Sequence, residues 1–198
     1  YYFEEICKIP HGSRNTRQIS DYLVDFAKEH GFKYVQDELN NVVIYKPATP
    51  GYENAPTVIL QGHMDMVCEK RPDVEHDFTK DGLNLSVKDG YVSANGTTLG
   101  GDDGIAVAYS LALLDSTDIP HPALEVLITV DEEIGLLGAF GLDCSVLSGK
   151  RMINMDSEAE GSLWISCAGG LSAVSHIPVQ RVAAEGEKLE VKVSGLMG

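Results

Sequence analysis

The alternation of apolar and polar residues along the chain predicts helices and strands in an α/β order. Helical patterns cover residues 1–9, 13–30, 103–114 and 136–140. In the second of these, apolar residues recur every three or four positions, with Ser13 as a candidate N-cap and Gly31 as a stop. We expect this amphipathic helix to pack on a sheet.

Short apolar runs rich in β-branched residues predict the strands. They cover 32–36, 41–45, 57–62, 83–87, 91–94, 124–130 and 151–155, and further candidates lie at 162–167, 171–179 and 188–193. Lys88-Asp89-Gly90 separates two of them as a hairpin turn. We therefore expect an α/β fold with a mixed, mostly parallel central sheet and helices on both faces.

The composition changes near Gly169, where alternating strand patterns replace the α/β order. We expect residues 1–169 to form the main domain and 170–198 to form the first strands of a second domain whose remainder is absent.

Composition and charge exclude several classes of protein. The 198 residues are 43% hydrophobic, with mean hydropathy −0.06, as in soluble globular proteins, and no apolar run approaches the roughly 18 residues that span a bilayer. The net charge of −15 argues against nucleic acid and anionic membranes as partners. No signal peptide is visible, although the first residue is Tyr1 and not Met, and we expect a cytoplasmic protein.

The four cysteines give no metal or disulfide pattern. They are widely spaced, and none forms a CxxC pair, so neither a disulfide framework nor a cysteine zinc site is expected. Any metal site must therefore use histidine and carboxylates.

Three predicted strands end in such residues. The strand at 57–62 is followed by His63 and Asp65, the strand at 124–130 by Asp131-Glu132-Glu133, and the strand at 151–155 by Asp156. Ligands bind at the carboxyl ends of parallel strands. Each motif alone also fits a surface turn or a helix start, but three together at one edge favour a divalent cation such as zinc, cobalt or manganese.

A glycine-rich loop supplies two further carboxylates, Asp102 and Asp103. Both stand at the start of a helix, where aspartate stabilises by roughly 1 kcal/mol without any ligand. We interpret Asp103 as such a cap. For Asp102, which follows two glycines, capping and metal binding both remain open.

These motifs together resemble those of the dinuclear zinc aminopeptidase and carboxypeptidase family, and within it the aminoacyl-histidine dipeptidases. The resemblance covers nearly the whole chain and rests on Gly62-His63-Met64-Asp65-Met66-Val67, Gly96-Thr97-Thr98-Leu99-Gly100-Gly101-Asp102-Asp103-Gly104, Asp131-Glu132-Glu133-Ile134-Gly135, Asn154-Met155-Asp156-Ser157-Glu158, His121-Pro122-Ala123-Leu124-Glu125-Val126 and Cys167-Ala168-Gly169-Gly170. It implies a zinc-exopeptidase-like catalytic domain over 1–169 and the start of an α+β lid domain over 170–198.

The resemblance also implies a role for each site residue. Two divalent metal ions, zinc by preference, would hold a water molecule between them, and Glu132 would act as general base. The implied metal ligands are His63, Asp102 as the bridge, Glu133 and Asp156. Asp65 would orient His63, and so belongs with Glu132 among the catalytic residues.

Two departures from the family pattern concern charge. Asp103 stands where the family usually has asparagine, and Asp131 stands where it often has a neutral residue. By the resemblance, a final metal-binding histidine and a lid histidine come from beyond residue 198. We therefore expect the 198 residues alone to have a weakened second metal site and little or no activity.

The resemblance implies a small dipeptide ending in histidine as the substrate, and a homodimer for the full-length protein. Two alternatives stay open: an N-acyl amino acid deacylase of the same fold, and a non-catalytic cation-binding protein. A free base beside a metal ligand, as in Glu132-Glu133, argues against the second alternative.

Overall fold

The computed structural model describes residues 1–157, 160–167, 169–170, 173–180, 182–183 and 185–194. The chain divides into two units, Tyr1–Glu158 and Ala159–Gly198. The helices and strands formed by these described residues all belong to the first unit: α1 (Tyr2–Cys7), α2 (Arg17–Glu29), β1 (Lys33–Gln36), β2 (Val42–Lys46), β3 (Val58–His63), β4 (Leu85–Lys88), β5 (Tyr91–Ala94), α3 (Gly101–Asp115), β6 (Leu124–Thr129), α4 (Leu137–Gly141), a 3-10 helix (Cys144–Val146) and β7 (Arg151–Asn154).

A five-stranded mixed sheet in the order β1-β2-β6-β3-β7 forms the centre of the first unit. β3 is parallel to both β6 and β7, while β1, β2 and β6 pair antiparallel. The predicted mixed sheet is thus present. Since β3, β6 and β7 are parallel neighbours, their carboxyl ends lie at one edge.

Alternate residues of the strands point to the two faces of the sheet and form two separate cores. The larger core joins one face to the first three helices, and its buried members include Ile6, Leu23, Ile44, Val107 and Val126. The smaller core, on the opposite face, is built on Val43, Ile59 and Leu127. On this second face, where the prediction also placed helices, the core packs against Leu142, Val146 and Leu147 around the short 3-10 helix.

Two local predictions need correction. Ser13 does not cap α2, because the helix begins at Arg17 with Thr16 as its N-cap residue. The strands predicted at 162–167, 171–179 and 188–193 are not formed by the described residues of those ranges. The predicted hairpin is present, with β4 and β5 joined at Asp89–Gly90.

The predicted second domain at 170–198 stays a prediction. Within the described part of the chain, no helix combines the length and apolar character needed to cross a membrane.

Candidate metal centre

His63 is the last residue of β3 and lies at the centre of the site. Its side chain is only 1% exposed, and it pairs in register with Thr129 of β6. The parallel strands on either side of β3 are followed by Glu132 and Asp156, as the sequence predicted. A nearly inaccessible imidazole is therefore surrounded by carboxylates from separate parts of the chain.

The two ring nitrogens of His63 face different surroundings. Nδ1 lies 2.9 Å from the backbone oxygen of Asp65 and 3.3 Å from its Oδ1. Nε2 lies 3.2 Å from Asp102 Oδ1, 3.9 Å from Glu132 Oε2 and 4.0 Å from Asp156 Oδ2. With a proton on Nδ1, donated to Asp65, the lone pair of Nε2 is directed at the carboxylates.

Two overlapping groups of side chains have the spacing of metal ligands. One group is His63, Asp102 and Glu133, and the other is His63, Asp103 and Asp156; in each, one ligand atom from every residue lies within 4.8 Å of the others. One imidazole nitrogen with several carboxylate oxygens and no sulfur suits a divalent cation such as zinc, cobalt or manganese. The donor chemistry of the site therefore fits the implied metals.

Asp65 is buried behind His63 and receives hydrogen bonds from two distant segments. Its Oδ1 accepts the Glu132 N–H at 3.0 Å. Its Oδ2 accepts the Ser13 hydroxyl at 2.8 Å and the Glu133 N–H at 3.4 Å. One carboxylate thus connects the histidine to the backbone that carries the two glutamates.

Asp103 does not cap α3, contrary to the sequence interpretation. The second and third residues of this helix, Asp102 and Asp103, have non-helical backbone angles, and no side chain caps it. The Asp103 side chain, 2% exposed, turns to β3 instead, where Oδ2 accepts the His63 N–H at 3.2 Å. Sequence reasoning missed this contact, and the signal for it was the glycine at position 62.

Gly62 leaves the space that Asp103 occupies. A Cβ at this position would lie 2.5 Å from Asp103 Oδ2 and 2.7 Å from the Cβ of Ala106. Real Cβ atoms essentially never approach so closely. The glycine therefore allows the start of α3 to pack directly against the end of β3.

Burial and mutual repulsion disturb the protonation of the site. Burial alone would lower the pKa of His63, but the carboxylates of Asp65, Asp103 and Asp156 raise it to about 9. Burial raises the pKa of Asp103 to about 7. Burial also raises the pKa values of Glu132 and Glu133, with nearby carboxylates adding to the effect. A cation among these groups would relieve the repulsion.

Asp65 behaves in the opposite way. Burial would raise its pKa, but hydrogen bonds from His63, Ser13 and the Glu132 N–H hold that pKa below its usual range. Asp65 is therefore kept as an anion beside the histidine.

A cavity of about 210 Å³ adjoins the site and is lined by Gly101, Asp102, Asp103, Ile105, Met155 and Ser157.

This fold and sequence are similar to those of peptidases of known structure. An aminoacylhistidine dipeptidase from Vibrio alginolyticus matches with TM-score 0.79 and 48% identity, covering 81% of this chain and 33% of its own. A tripeptidase from Staphylococcus aureus matches with TM-score 0.67 and 28% identity, covering 80% of this chain and 42% of its own. The chain is therefore similar to peptidases, which are hydrolases of peptide bonds.

Within that class, the similarity extends to a dipeptidase over almost every residue. The cytosol non-specific dipeptidase of Escherichia coli (strain K12) is 44% identical over 198 residues, which are 99% of this chain and 41% of that protein. The predicted resemblance to the aminoacyl-histidine dipeptidases is confirmed by this relative and by the Vibrio structure. The chain spans less than half the length of either protein. No family model matches it.

Proposed function

We propose that this chain carries the metal centre of a dipeptidase that hydrolyses dipeptides ending in histidine. The observation that carries the proposal is the buried His63 ring, whose Nε2 faces Asp102, Glu132 and Asp156 while Nδ1 faces Asp65. The names of the similar proteins support a peptidase, and those of two support a dipeptidase.

The ligand roles are those that the family resemblance implies. We assign His63 and Asp156 to one divalent cation and Glu133 to a second, with Asp102 shared between them. The spacing supports His63 as a ligand, because it lies within ligand distance of Asp156 in one group and of Asp102 and Glu133 in the other. The sharing of Asp102 rests on the family resemblance. Asp103 is near enough to join, but its Oδ2 already accepts the His63 N–H, and we assign it to holding β3 against α3.

Asp65 holds the histidine in the form that a metal requires. By accepting from Nδ1, its buried anion keeps the proton on that nitrogen and leaves Nε2 as the ligand atom. Its bonds to the Glu132 and Glu133 N–H groups fix the backbone of the base and of a ligand at the same time.

Glu132 carries out the proton transfer. Bound divalent cations would supply Lewis acidity and lower the pKa of a bound water. Glu132 would take a proton from the attacking water and deliver it to the leaving amine. Its raised pKa, caused first by burial, brings it nearer to neutral pH and suits both steps.

The names of the relatives differ in substrate breadth. The Vibrio protein is named for aminoacyl-histidine substrates, and the Escherichia coli protein is named non-specific. We propose unblocked dipeptides as the substrate class, with Xaa-His as its best members. An N-acyl amino acid deacylase would instead cleave an N-acetyl amino acid, which is why the experiment includes one.

The test is hydrolysis of alanyl-histidine by the longest form of this chain, with added zinc, cobalt or manganese and with chelator. A leucyl dipeptide and N-acetylalanine run beside it. Chelator-sensitive cleavage of alanyl-histidine supports the proposal. Cleavage of the acetyl compound alone would establish the deacylase, and metal binding without cleavage of any compound would favour the cation-binding protein.

We also propose a cytoplasmic location and a homodimer for the full-length protein. The location is supported by the relative named a cytosol dipeptidase. The dimer rests on the family resemblance, and sedimentation of the full-length protein tests it.

A further inference from the structure

The loop between α1 and α2 lies against the chain that follows His63. Gly12 forms a parallel bridge with Met66, where the Met66 N–H donates to His11 O at 3.2 Å and the Ser13 N–H donates to Met66 O at 3.3 Å. A Cβ on Gly12 would lie 2.2 Å from Cys68 Sγ, so a larger residue here would displace the Cys68 side chain. The approach brings Ser13 to the back of the site.

The Ser13 hydroxyl is directed at the buried carboxylate of Asp65. It donates to Oδ2 at 2.8 Å, whereas the other donor to that oxygen, the Glu133 N–H, lies at 3.4 Å. Oδ1 is held separately by the Glu132 N–H and lies beside His63 Nδ1. Without Ser13, Oδ2 would keep only its long hydrogen bond from the Glu133 N–H, and the orientation of the carboxylate would be less firmly fixed.

The hydroxyl is not needed by the helix that follows it. α2 begins at Arg17 and has no side-chain cap. The neighbouring Arg14 adopts a positive φ of 66° and donates its backbone N–H to Asp131 Oδ1 at 2.6 Å. Two successive residues of one loop are therefore bonded to the two sides of the site, Ser13 to Asp65 and Arg14 to the turn before Glu132.

We propose that Ser13 is a positioning residue of the metal centre, which acts by fixing the Asp65 carboxylate and, through it, the His63 ring and the Glu132–Glu133 backbone. The inference rests on the proposed function, because the centre must hold a metal for the positioning to matter. The Ser13 hydroxyl is bonded to Asp65, which stands behind His63, and not to the carboxylates that face His63 Nε2, so we do not assign it as a ligand.

The test compares Ser13→Ala with Ser13→Thr and with Ser20→Ala in the longest form of the chain. Ser20 is a matched control, since its buried hydroxyl also makes short hydrogen bonds but to other partners than Asp65. It donates to Asn40 O at 2.8 Å and accepts from Gln36 Nε2 at 2.8 Å. The readouts are the affinity for Co²⁺ by competition with a chelator, the visible spectrum of bound Co²⁺, and kcat and KM for alanyl-histidine. Circular dichroism confirms that each variant is folded.

Removal of partners behind a metal ligand commonly costs about 10- to 100-fold in affinity or activity. Ser13 is one hydrogen bond further from the metal ligand than Asp65 is, so we expect a smaller effect. Ser13→Ala should lower Co²⁺ affinity and kcat about 3- to 10-fold. It should also alter the Co²⁺ spectrum and change KM little. Ser13→Thr, which keeps the hydroxyl, should restore most of both. Ser20→Ala should lower stability alone.

Wild-type Co²⁺ affinity and spectrum in Ser13→Ala would overturn the proposal. Equal losses of affinity in Ser20→Ala, or a Ser13→Thr variant as impaired as Ser13→Ala, would overturn it as well. If the wild-type protein binds Co²⁺ but cleaves no dipeptide, and Ser13→Ala still weakens Co²⁺ binding, then the dipeptidase function fails while the positioning role stands.

Discussion

His63 is the residue on which the other parts of the site depend. Its Nδ1 side is occupied by Asp65 and its Nε2 side by carboxylates that repel one another. In the absence of a cation, a proton on the ring performs the same neutralising role. Metal and proton therefore compete for this side chain.

That competition predicts a pH dependence for the metal-free protein. The pKa of His63 rises from the ordinary 6.5 to about 9, so the folded state binds the proton more tightly than the unfolded state. The resulting stability is fully present below pH 6.5 and is lost as the pH rises to about 9. The change should be on the order of 3 kcal/mol. The raised pKa of Asp103 likewise makes the stability of the folded state fall as the pH rises toward about 7.

Urea unfolding in the presence of chelator, at a series of pH values from 6 to 9.5, measures this effect. His63→Gln is the control, and its stability should change much less over this range. A wild-type stability that stayed level or rose between pH 6.5 and 9 would contradict the assigned protonation.

Glu132 and Glu133 are neighbours with different proposed roles, and they make a matched pair of substitutions. Glu132→Gln should lower turnover by about 10²- to 10⁴-fold while metal stays bound, because the substitution removes the general base but removes no metal ligand. Glu133→Gln should lower the metal content instead. Metal analysis and steady-state kinetics of the two variants decide the matter, and loss of metal from Glu132→Gln would show that the base is misassigned.

At the scale of the elements, the close packing of β3 on α3 forms the site. Gly62→Ala should destabilise the protein by about 1–3 kcal/mol, since the added methyl group overlaps Asp103 and Ala106. It should also weaken metal binding, because Asp103 can no longer accept the His63 N–H in its present position.

The matched control is Gly170→Ala, where an added Cβ meets nothing within 4 Å. Thermal unfolding and Co²⁺ titration of both variants measure the two effects. Gly62→Ala with the stability and affinity of the control would show that the interface tolerates the methyl group.

Much of this arrangement was predictable, because it depends on patterns that are local in the sequence. Apolar runs gave β3, β6 and β7, and polar residues directly after them gave the convergence of His63, Glu132 and Asp156. The roles of Ser13 and Asp103 were not predictable in the same way. Both residue types favour helix N-caps, and only the tertiary structure shows that their side chains are bonded to Asp65 and β3 instead.

The strands predicted after residue 160 failed for a related reason. Alternation indicates which residues would share a face of a sheet, but a strand also needs a partner for its backbone. The described residues of 160–194 form no helix or strand, and many apolar side chains there are largely exposed, among them Leu163 at 98% and Val191 at 88%.

At the scale of the whole molecule, the net charge of −15 and the clustered carboxylates make a cation a source of stability. At a free Zn²⁺ concentration about 100 times its Kd, each bound Zn²⁺ should stabilise the folded state by about 2.7 kcal/mol. This corresponds to a rise in Tm of roughly 5–10 °C for a protein of this size. Thermal unfolding with chelator and with buffered Zn²⁺ measures it.

Asp102→Ala tests whether that stabilisation comes from the proposed centre. As the shared ligand, Asp102 should be needed for the occupancy of both metals, so the variant should lose most of the rise in Tm and both equivalents of bound zinc. Loss of one equivalent alone would argue against bridging, and an undiminished rise in Tm would place the binding elsewhere.

The pairing of β7 with β3 also determines when the cation assigned to His63 and Asp156 can first be held. During synthesis, at about 5–20 residues per second, His63 leaves the ribosome roughly 5 to 20 seconds before Asp156. In that interval the nascent chain has the histidine and its Asp65 but lacks a full set of ligands. The cation assigned to His63 and Asp156 can therefore be held only after β7 has been translated.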